Sequence, residues 1–287
     1  MLTNRLQKLA AAGCLLSTAF FAPAVTAAAA EERPEAHTVN VPFPSGPHDY
    51  SYAFEKEAKL LDIASKLLEH KTEKSHLVYQ LKPAGDGKVV IEINLEGGSK
   101  DVAIKGTSTV DSKGGLLKDV QHTASGEEVT DVTVKEVQFM GKNKVITWNK
   151  IDPKDAKEDK PKKKSDDDDN GKECMVDPSD IVTTLFELPV WAATIGEPLP
   201  PKGVSFRLCL QGSPVQMKLA QESADDKTVT YVCQKVASKN DQNGEAHPAI
   251  KLTFDKKERE SGFAMPLKIF IQAGPIAMHL SRHDHQE

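Results

Sequence analysis

Short segments in which apolar and polar residues alternate recur through this chain, and this pattern constrains the fold more than any other feature. In residues 88–95 every second side chain from Val89 onward is apolar, so a strand there would have one apolar and one polar face. Comparable segments span residues 76–81, 129–139, 144–148, 204–210, 215–222, 228–235, 249–254, 265–273 and 276–280. Because turn residues separate several of them, the pattern predicts a mainly β, antiparallel fold.

Residues 1–30 have the organisation of a secretory signal peptide. Arg5 and Lys8 precede an apolar stretch at 9–25, and small residues at 27–30 are suitable for cleavage. Export through a cleaved signal peptide is therefore predicted. Two alternatives remain open, namely an uncleaved membrane anchor and lipidation of Cys14.

The net charge of the chain argues against a nucleic-acid partner. It carries 37 Lys and Arg residues against 42 Asp and Glu residues, a formal net charge of −5. An acidic chain is not attracted broadly to phosphate backbones, so no nucleic-acid partner is predicted. No second long apolar run follows residue 30, so no transmembrane segment is predicted in the mature chain.

The pattern predicts one β domain at 49–287 after an extended, proline-rich leader at 31–48. Residues 152–173 are almost wholly polar and form a basic and an acidic block, which predicts a disordered insertion. Residues 54–70 fit both a helix and a strand. After the insertion, Asp177 and Ser179 favour a helix start, and residues 181–188 have the spacing of a short amphipathic helix before Pro189.

Several short motifs together are similar to a known family. They are Tyr-Ser-Tyr-Ala-Phe at 50–54, residues 108–116, Asp-Pro-Ser-Asp at 177–180, Gly203, and Met-Pro-Leu-Lys-Ile at 265–269 followed by Gly274. Residues 49–287 resemble a family of Gram-negative periplasmic proteins of unknown function. The resemblance implies a periplasmic location and a curved antiparallel sheet, a half-open barrel, that wraps a short helix. It also favours a strand at 54–70, and it carries no catalytic residues.

The cysteines allow at most one intramolecular disulfide in the mature chain, because Cys14 lies in the signal segment and only Cys174, Cys209 and Cys233 follow it. If residues 204–235 form a meander, Cys209 and Cys233 lie two strands apart, which is too far for a direct bridge. A pair that includes Cys174 is therefore favoured, and its partner stays open. Three free thiols remain an alternative.

Residues 166–177 nearly match a calcium-binding loop. Asp166, Asp168 and Asn170 occupy the first, third and fifth positions, and Asp177 occupies the twelfth, where a bidentate Glu is usual. A solvated acidic run produces the same pattern by chance, so calcium binding is an alternative. His279, His283 and His285 could chelate Zn²⁺ or Cu²⁺, although a polar C-terminus is the more common origin of such a cluster.

The chain has no nucleophile motif and no glycine-rich phosphate loop, so no catalytic residue and no cofactor is predicted. Trp148, Leu185, Phe186, Val190 and Trp191 are candidate lining residues of a hydrophobic ligand site, and ordinary core packing is the other interpretation. The predicted function is therefore a non-catalytic periplasmic envelope protein. It would bind a lipid, an acyl chain or an envelope protein on the concave face of the sheet. The alternatives are a calcium- or metal-responsive binding protein and a hydrolase.

Overall fold

The computed structural model describes residues 40–54, 76–96, 105–123, 126–138, 141–151, 171–236, 249–273 and 276–283. Fifteen strands in these residues form one sheet, and two short helices accompany it. Among the described residues, no helix combines the length and the apolar character that a membrane crossing requires.

The strands are β1 His48–Phe54, β2 His76–Gly85, β3 Lys88–Glu96, β4 Lys105–Val110, β5 Leu116–Thr123, β6 Gly126–Val137, β7 Gly141–Ile151, β8 Gly171–Val176, β9 Val182–Thr183, β10 Val204–Leu210, β11 Ser213–Ala224, β12 Thr228–Lys235, β13 Ala249–Asp255, β14 Lys268–Ala273 and β15 Ile276–His283. The helices are α1 Leu188–Ala193 and α2 Lys256–Ser261.

The sheet runs in the order β8-β7-β6-β5-β4-β3-β2-β1-β15-β14-β13-β12-β11-β10-β9. Neighbouring strands are antiparallel, except that β9 pairs with β10 in parallel. Because β8 and β9 are the two ends of the order, the sheet is not closed into a barrel. The predicted mainly β fold, with one curved antiparallel sheet in a half-open arrangement and a short helix, is confirmed.

Period-two alternation decides which side chains enter the core. In β2 and β3, Tyr79 pairs with Ile93 and Leu81 pairs with Ile91, and all four side chains are buried. The same alternation gives β13 a buried face that includes Ile250. Each large apolar side chain buried in this way contributes about 1.5–3 kcal/mol, so the continuous buried face stabilises the curved sheet.

Helix α1 lies later in the chain than predicted. Residues 182–183 form β9 and residues 185–187 form a turn, so the helix begins at Leu188. Pro189 therefore lies in its first turn rather than after its end. A proline is tolerated there because the first-turn N–H groups have no partner within the helix. Every residue of α1 is buried, which places the helix inside the core.

The buried Arg259 side chain of α2 holds the end of α1. Its Nη2 donates to the Ile195 carbonyl at 2.6 Å, and its Nη1 donates to the Ala192 carbonyl at 3.3 Å. Its Nε donates to Glu197 at 2.8 Å, and its guanidinium lies 4.4 Å from the Phe254 ring centroid. The Ala192 carbonyl also accepts the Ile195 N–H at 3.3 Å, so Arg259 adds a second donor there and ties α2 to the Ile195 carbonyl just beyond the end of α1.

The structure changes two predicted boundaries, those of the leader at 31–48 and of the insertion at 152–173. In the predicted leader, Asn40 bridges to Ile195 and the Phe43 ring contacts the Phe263 ring at 5.4 Å, so this part packs on the fold. Residues 171–173 belong to β8, so the predicted insertion at 152–173 ends too late. Phe54 ends β1, whereas residues 55–70 and 152–170 lie outside the described residues.

Candidate functional site

Two acidic side chains meet in the core beside the start of α1. Asp119 comes from β5, and Glu187 is the residue immediately before the helix. They are 3% and 0% exposed, and Ser108 of β4 lies between them. The Ser108 Oγ is 2.9 Å from Asp119 Oδ1 and 2.5 Å from Glu187 Oε1. We call Ser108, Asp119, Thr184 and Glu187 the buried carboxyl cluster.

The hydrogen-bond geometry of this cluster requires an additional proton. A serine hydroxyl has one hydrogen, so Ser108 can donate to only one of the two carboxyl groups. The Thr184 hydroxyl donates to Glu187 Oε2, and the Gln121 amide donates to Asp119 Oδ2 at 2.8 Å. If Glu187 is protonated and donates to Ser108, which then donates to Asp119, every contact in the cluster has a hydrogen.

The pKa values of both carboxyl groups agree with this arrangement. Burial, together with the neighbouring Asp119, raises the pKa of Glu187 from its ordinary 4.5 to about 8. Burial also raises the pKa of Asp119 from 3.8 to about 6, although the hydrogen bonds from Ser108 and Gln121 oppose this change. The pair therefore retains a proton near neutral pH, because two adjacent carboxylates without solvent are unfavourable.

No sequence pattern predicts the buried carboxyl cluster. Ser108 and Glu187 are separated by 79 positions, and no local motif joins them. The only available signal was an acidic residue between the apolar residues Phe186 and Leu188.

The predicted ligand-lining residues lie in or against the core. Trp191 is 2% exposed, and its ring contacts that of Phe206 with centroids 4.6 Å apart. Val190 is fully buried next to it, whereas Leu185 and Phe186 are half-buried and pack on the same core. These four residues are grouped around α1, so the chain's own helix occupies this part of the concave face.

Trp148, the fifth predicted lining residue, belongs to a different part of the structure. It lies on β7 with Lys172 of β8 over its ring, 5.6 Å from the centroid. A Cβ placed on Gly212 would come within 2.7 Å of the Trp148 Cβ, so the β10–β11 turn approaches this side chain closely. Trp148 therefore contacts the turn between β10 and β11.

A groove of about 330 Å³ crosses strands β12–β15, and we call it the outer groove. The residues that line it are Thr230, Lys251, Thr253, Lys268, Ile269, Phe270, His279 and Leu280. The side chains of Ile269 and Leu280 are buried in the core, so Phe270 is the apolar side chain that the groove presents. Lys251 and Thr253 alternate along β13 with buried core residues, so they point away from the core. This volume is at the small end of the range for ligand sites.

Contacts within the outer groove define its chemistry. The Phe270 and His279 rings pack against each other with centroids 4.6 Å apart. The Thr230 and Thr253 hydroxyls are 3.0 Å apart, and Lys251 forms an ion pair with Glu222 at 2.6 Å. A ligand with an apolar body and an anionic group would match the aromatic rings and the lysines of this groove.

Only part of the predicted metal ligands lies in the described part of the chain. Asp166, Asp168 and Asn170 lie outside the described residues, and Asp177 accepts a hydrogen bond from the Ser179 backbone at 2.9 Å. His279 and His283 lie on β15 rather than in a frayed tail, and His285 is not described. No group of three or more His, Cys, Asp or Glu side chains suited to a metal occurs among the described residues.

The three predicted disulfide candidates are free thiols in the structure. Cys209 and Cys233 are buried, and Cys174 is partly exposed. Cys209 lies on β10 and Cys233 on β12, which agrees with the predicted separation by two strands.

Comparison with family models, with curated proteins and with solved structures finds no match for this chain.

Proposed function

We propose that this protein is an exported, non-catalytic binding protein whose outer groove holds an acyl chain that carries an anionic group. The chemistry of the groove carries this proposal: the lysines at 251 and 268 line the same groove as the Phe270 ring, which packs against His279. The proposed export and periplasmic location rest on the sequence of residues 1–30 and on the resemblance described above.

The buried carboxyl cluster is not proposed as a catalytic site. Asp119 and Glu187 have raised pKa values, as acid–base catalysts often do. Their side chains are 3% and 0% exposed, however, and their oxygens already bind Ser108, Thr184 and Gln121. A substrate that cannot reach these atoms cannot exchange a proton with them, so we assign the cluster a structural role.

The outer groove is a more plausible ligand site than the concave face, because the concave face around α1 is filled by the chain's own side chains. A ligand there would have to displace a helix whose six residues are all buried. The outer groove requires no such displacement. Its cationic groups also give a reason for selecting anionic amphiphiles over neutral ones.

Calorimetric titration with myristate, with myristyl alcohol and with acetate tests the proposal. Myristate should bind, whereas the alcohol lacks the charge and acetate lacks the apolar chain. Replacing Lys251 by Gln should weaken myristate binding about tenfold, because a hydrogen bond to a charged group contributes roughly 1.5–3 kcal/mol. Equal affinity for myristate and the alcohol would contradict the assigned groove chemistry.

Lys82→Gln is the matched control for Lys251→Gln. Both lysines lie on strands and form ion pairs with a neighbouring Glu, at 2.7 Å for Lys82–Glu92 and 2.6 Å for Lys251–Glu222. Their side chains are 45% and 42% exposed. The Lys82 variant should bind myristate as the unaltered protein does. An equal loss in both variants would indicate a general charge effect rather than a groove.

A hydrophobic ligand on the concave face is the second candidate, favoured by the apolar face that α1 covers. The two candidates differ in their effect on tryptophan fluorescence. The chain has two tryptophans, Trp148 and Trp191, and neither lines the outer groove. Binding in the groove should leave the emission maximum unchanged, whereas displacement of α1 would expose Trp191 and shift its emission to longer wavelength.

A further inference from the structure

Strand β8, at one end of the sheet, lies against the β10–β11 turn near the other end. Gly212 in this turn has φ +77°, and a Cβ there would lie 2.7 Å from the Trp148 Cβ and 3.1 Å from the Lys172 Cβ. The close approach leaves no room for a side chain. Two parts of the sheet that are far apart in strand order are therefore packed together at Gly212.

Two cysteines border Gly212 from opposite sides of this contact. The Cys174 Sγ of β8 donates to the Gly212 carbonyl at 3.2 Å. Cys209 lies three residues before Gly212, where β10 enters the turn and pairs with Pro214. Burial raises the pKa of Cys209 to about 11, the Gly212 backbone hydrogen-bonds to its thiol, and Cys174 is among the neighbours that raise the pKa.

Cys233 does not share this position. It lies on β12, where it pairs with Leu219 of β11 and Ile250 of β13. Its pKa is raised by burial, with no contribution from another cysteine. Of the three thiols, Cys174 and Cys209 are therefore the two that the fold brings to one residue.

We propose that Cys174 and Cys209 form a disulfide that joins the β8 end of the sheet to the β10–β11 hairpin. The oxidant is an external disulfide, such as oxidised glutathione or a protein dithiol oxidant in its disulfide form. The partly exposed Cys174 loses its proton, attacks the external disulfide and releases one thiolate. Cys209 then loses its proton and attacks the Cys174 sulfur, which releases the second external thiolate. The pair of cysteines is oxidised, and the external disulfide is reduced to two thiols.

Peptide mapping after incubation with oxidised glutathione tests the pairing. The full chain is then denatured, its remaining thiols are alkylated, and it is digested without reduction. The expected result is one linked peptide containing Cys174 and Cys209, with Cys233 alkylated. A linked peptide with any other pair, or complete alkylation of Cys174 and Cys209, would overturn the proposal.

Thermal unfolding gives an independent readout. The oxidised protein should unfold about 5–15 °C above the reduced protein, as expected for a crosslink that closes a loop of this length in a domain of this size. Cys174→Ser should abolish this difference, whereas Cys233→Ala should retain it. Because the oxidised and reduced forms of the unaltered chain are compared first, a variant that fails to fold leaves the test intact. Equal midpoints for the two forms would contradict a closing crosslink.

Discussion

Replacement of Glu187 by Gln should change how the stability of the protein depends on pH. In the unaltered protein, burial raises the pKa of Glu187 from 4.5 to about 8. Between these values the folded chain binds a proton that the unfolded chain has lost, so the free energy of unfolding falls as pH rises. The slope is about 1.4 kcal/mol per pH unit for one proton. Across the full window the fall is roughly 4 kcal/mol.

The glutamine introduced by Glu187→Gln cannot ionise, so this contribution should disappear from the variant. The new amide can still donate an N–H to the Ser108 oxygen, which lies 2.5 Å from Glu187 Oε1 in the unaltered protein, so Ser108 can still donate to Asp119. Asp119 should then account for the remaining fall, mainly at pH 4–6, because its pKa is raised from 3.8 to about 6. Relative to the unaltered protein, the variant should therefore gain stability steadily from pH 6 to pH 8.

Urea unfolding at pH 5.5, 7.0 and 8.5 measures this difference, and tryptophan fluorescence is a suitable signal because Trp191 is buried in α1. Glu92→Gln is the control, since Glu92 forms an exposed ion pair with Lys82. If the unaltered protein and the Glu187 variant lose stability in parallel over this range, the protonated carboxyl cluster is refuted.

Two further substitutions test the backbone and the support of α1. Gly203→Ala should lower the free energy of unfolding by about 2 kcal/mol, because Gly203 has φ +75° and a Cβ there would lie 2.5 Å from the Leu219 carbonyl oxygen. Gly46→Ala, with nothing within 4 Å of the added Cβ, should change it by less than about 0.5 kcal/mol, and equal effects in urea unfolding would refute the steric argument. Arg259→Met should cost about 3 kcal/mol, because the Ile195 carbonyl loses this donor and the Glu197 carboxylate loses its cation. Lys257→Met, on the exposed side of α2, should cost little. Indistinguishable urea midpoints for these two variants would contradict the role given to Arg259.

Strands in which apolar and polar residues alternate are the part of the fold that the sequence predicts. Residues 88–95 have a period of two, and they form β3 with Ile91 and Ile93 buried. The alternation does not predict β4. Its sequence, Lys-Gly-Thr-Ser-Thr-Val, has small and hydroxyl side chains at the positions where an alternating strand has large apolar ones. Ser108 of β4 points inward because its hydroxyl contacts the carboxyl groups of Asp119 and Glu187.

The helix and the candidate sites depend on contacts between distant residues. In the sequence, Pro189 predicts the end of a helix, although the first turn of a helix accepts proline equally well. Lys251, Phe270 and His279 meet only because β12–β15 are neighbours in the sheet. Likewise, the contact of Cys174 with Gly212 depends on the curvature of the whole sheet, which no local pattern encodes.

Native mass spectrometry of the protein, purified without detergent and mixed with myristate, tests the proposed function most directly. The account predicts a complex with one bound myristate that is strongly reduced in the Lys251→Gln variant and retained in Lys82→Gln. The tryptophan emission maximum should be unchanged in the same mixture. A spectrum with only the unliganded mass at millimolar myristate, or binding that persists equally in both variants, would contradict the outer groove as a site for anionic acyl chains.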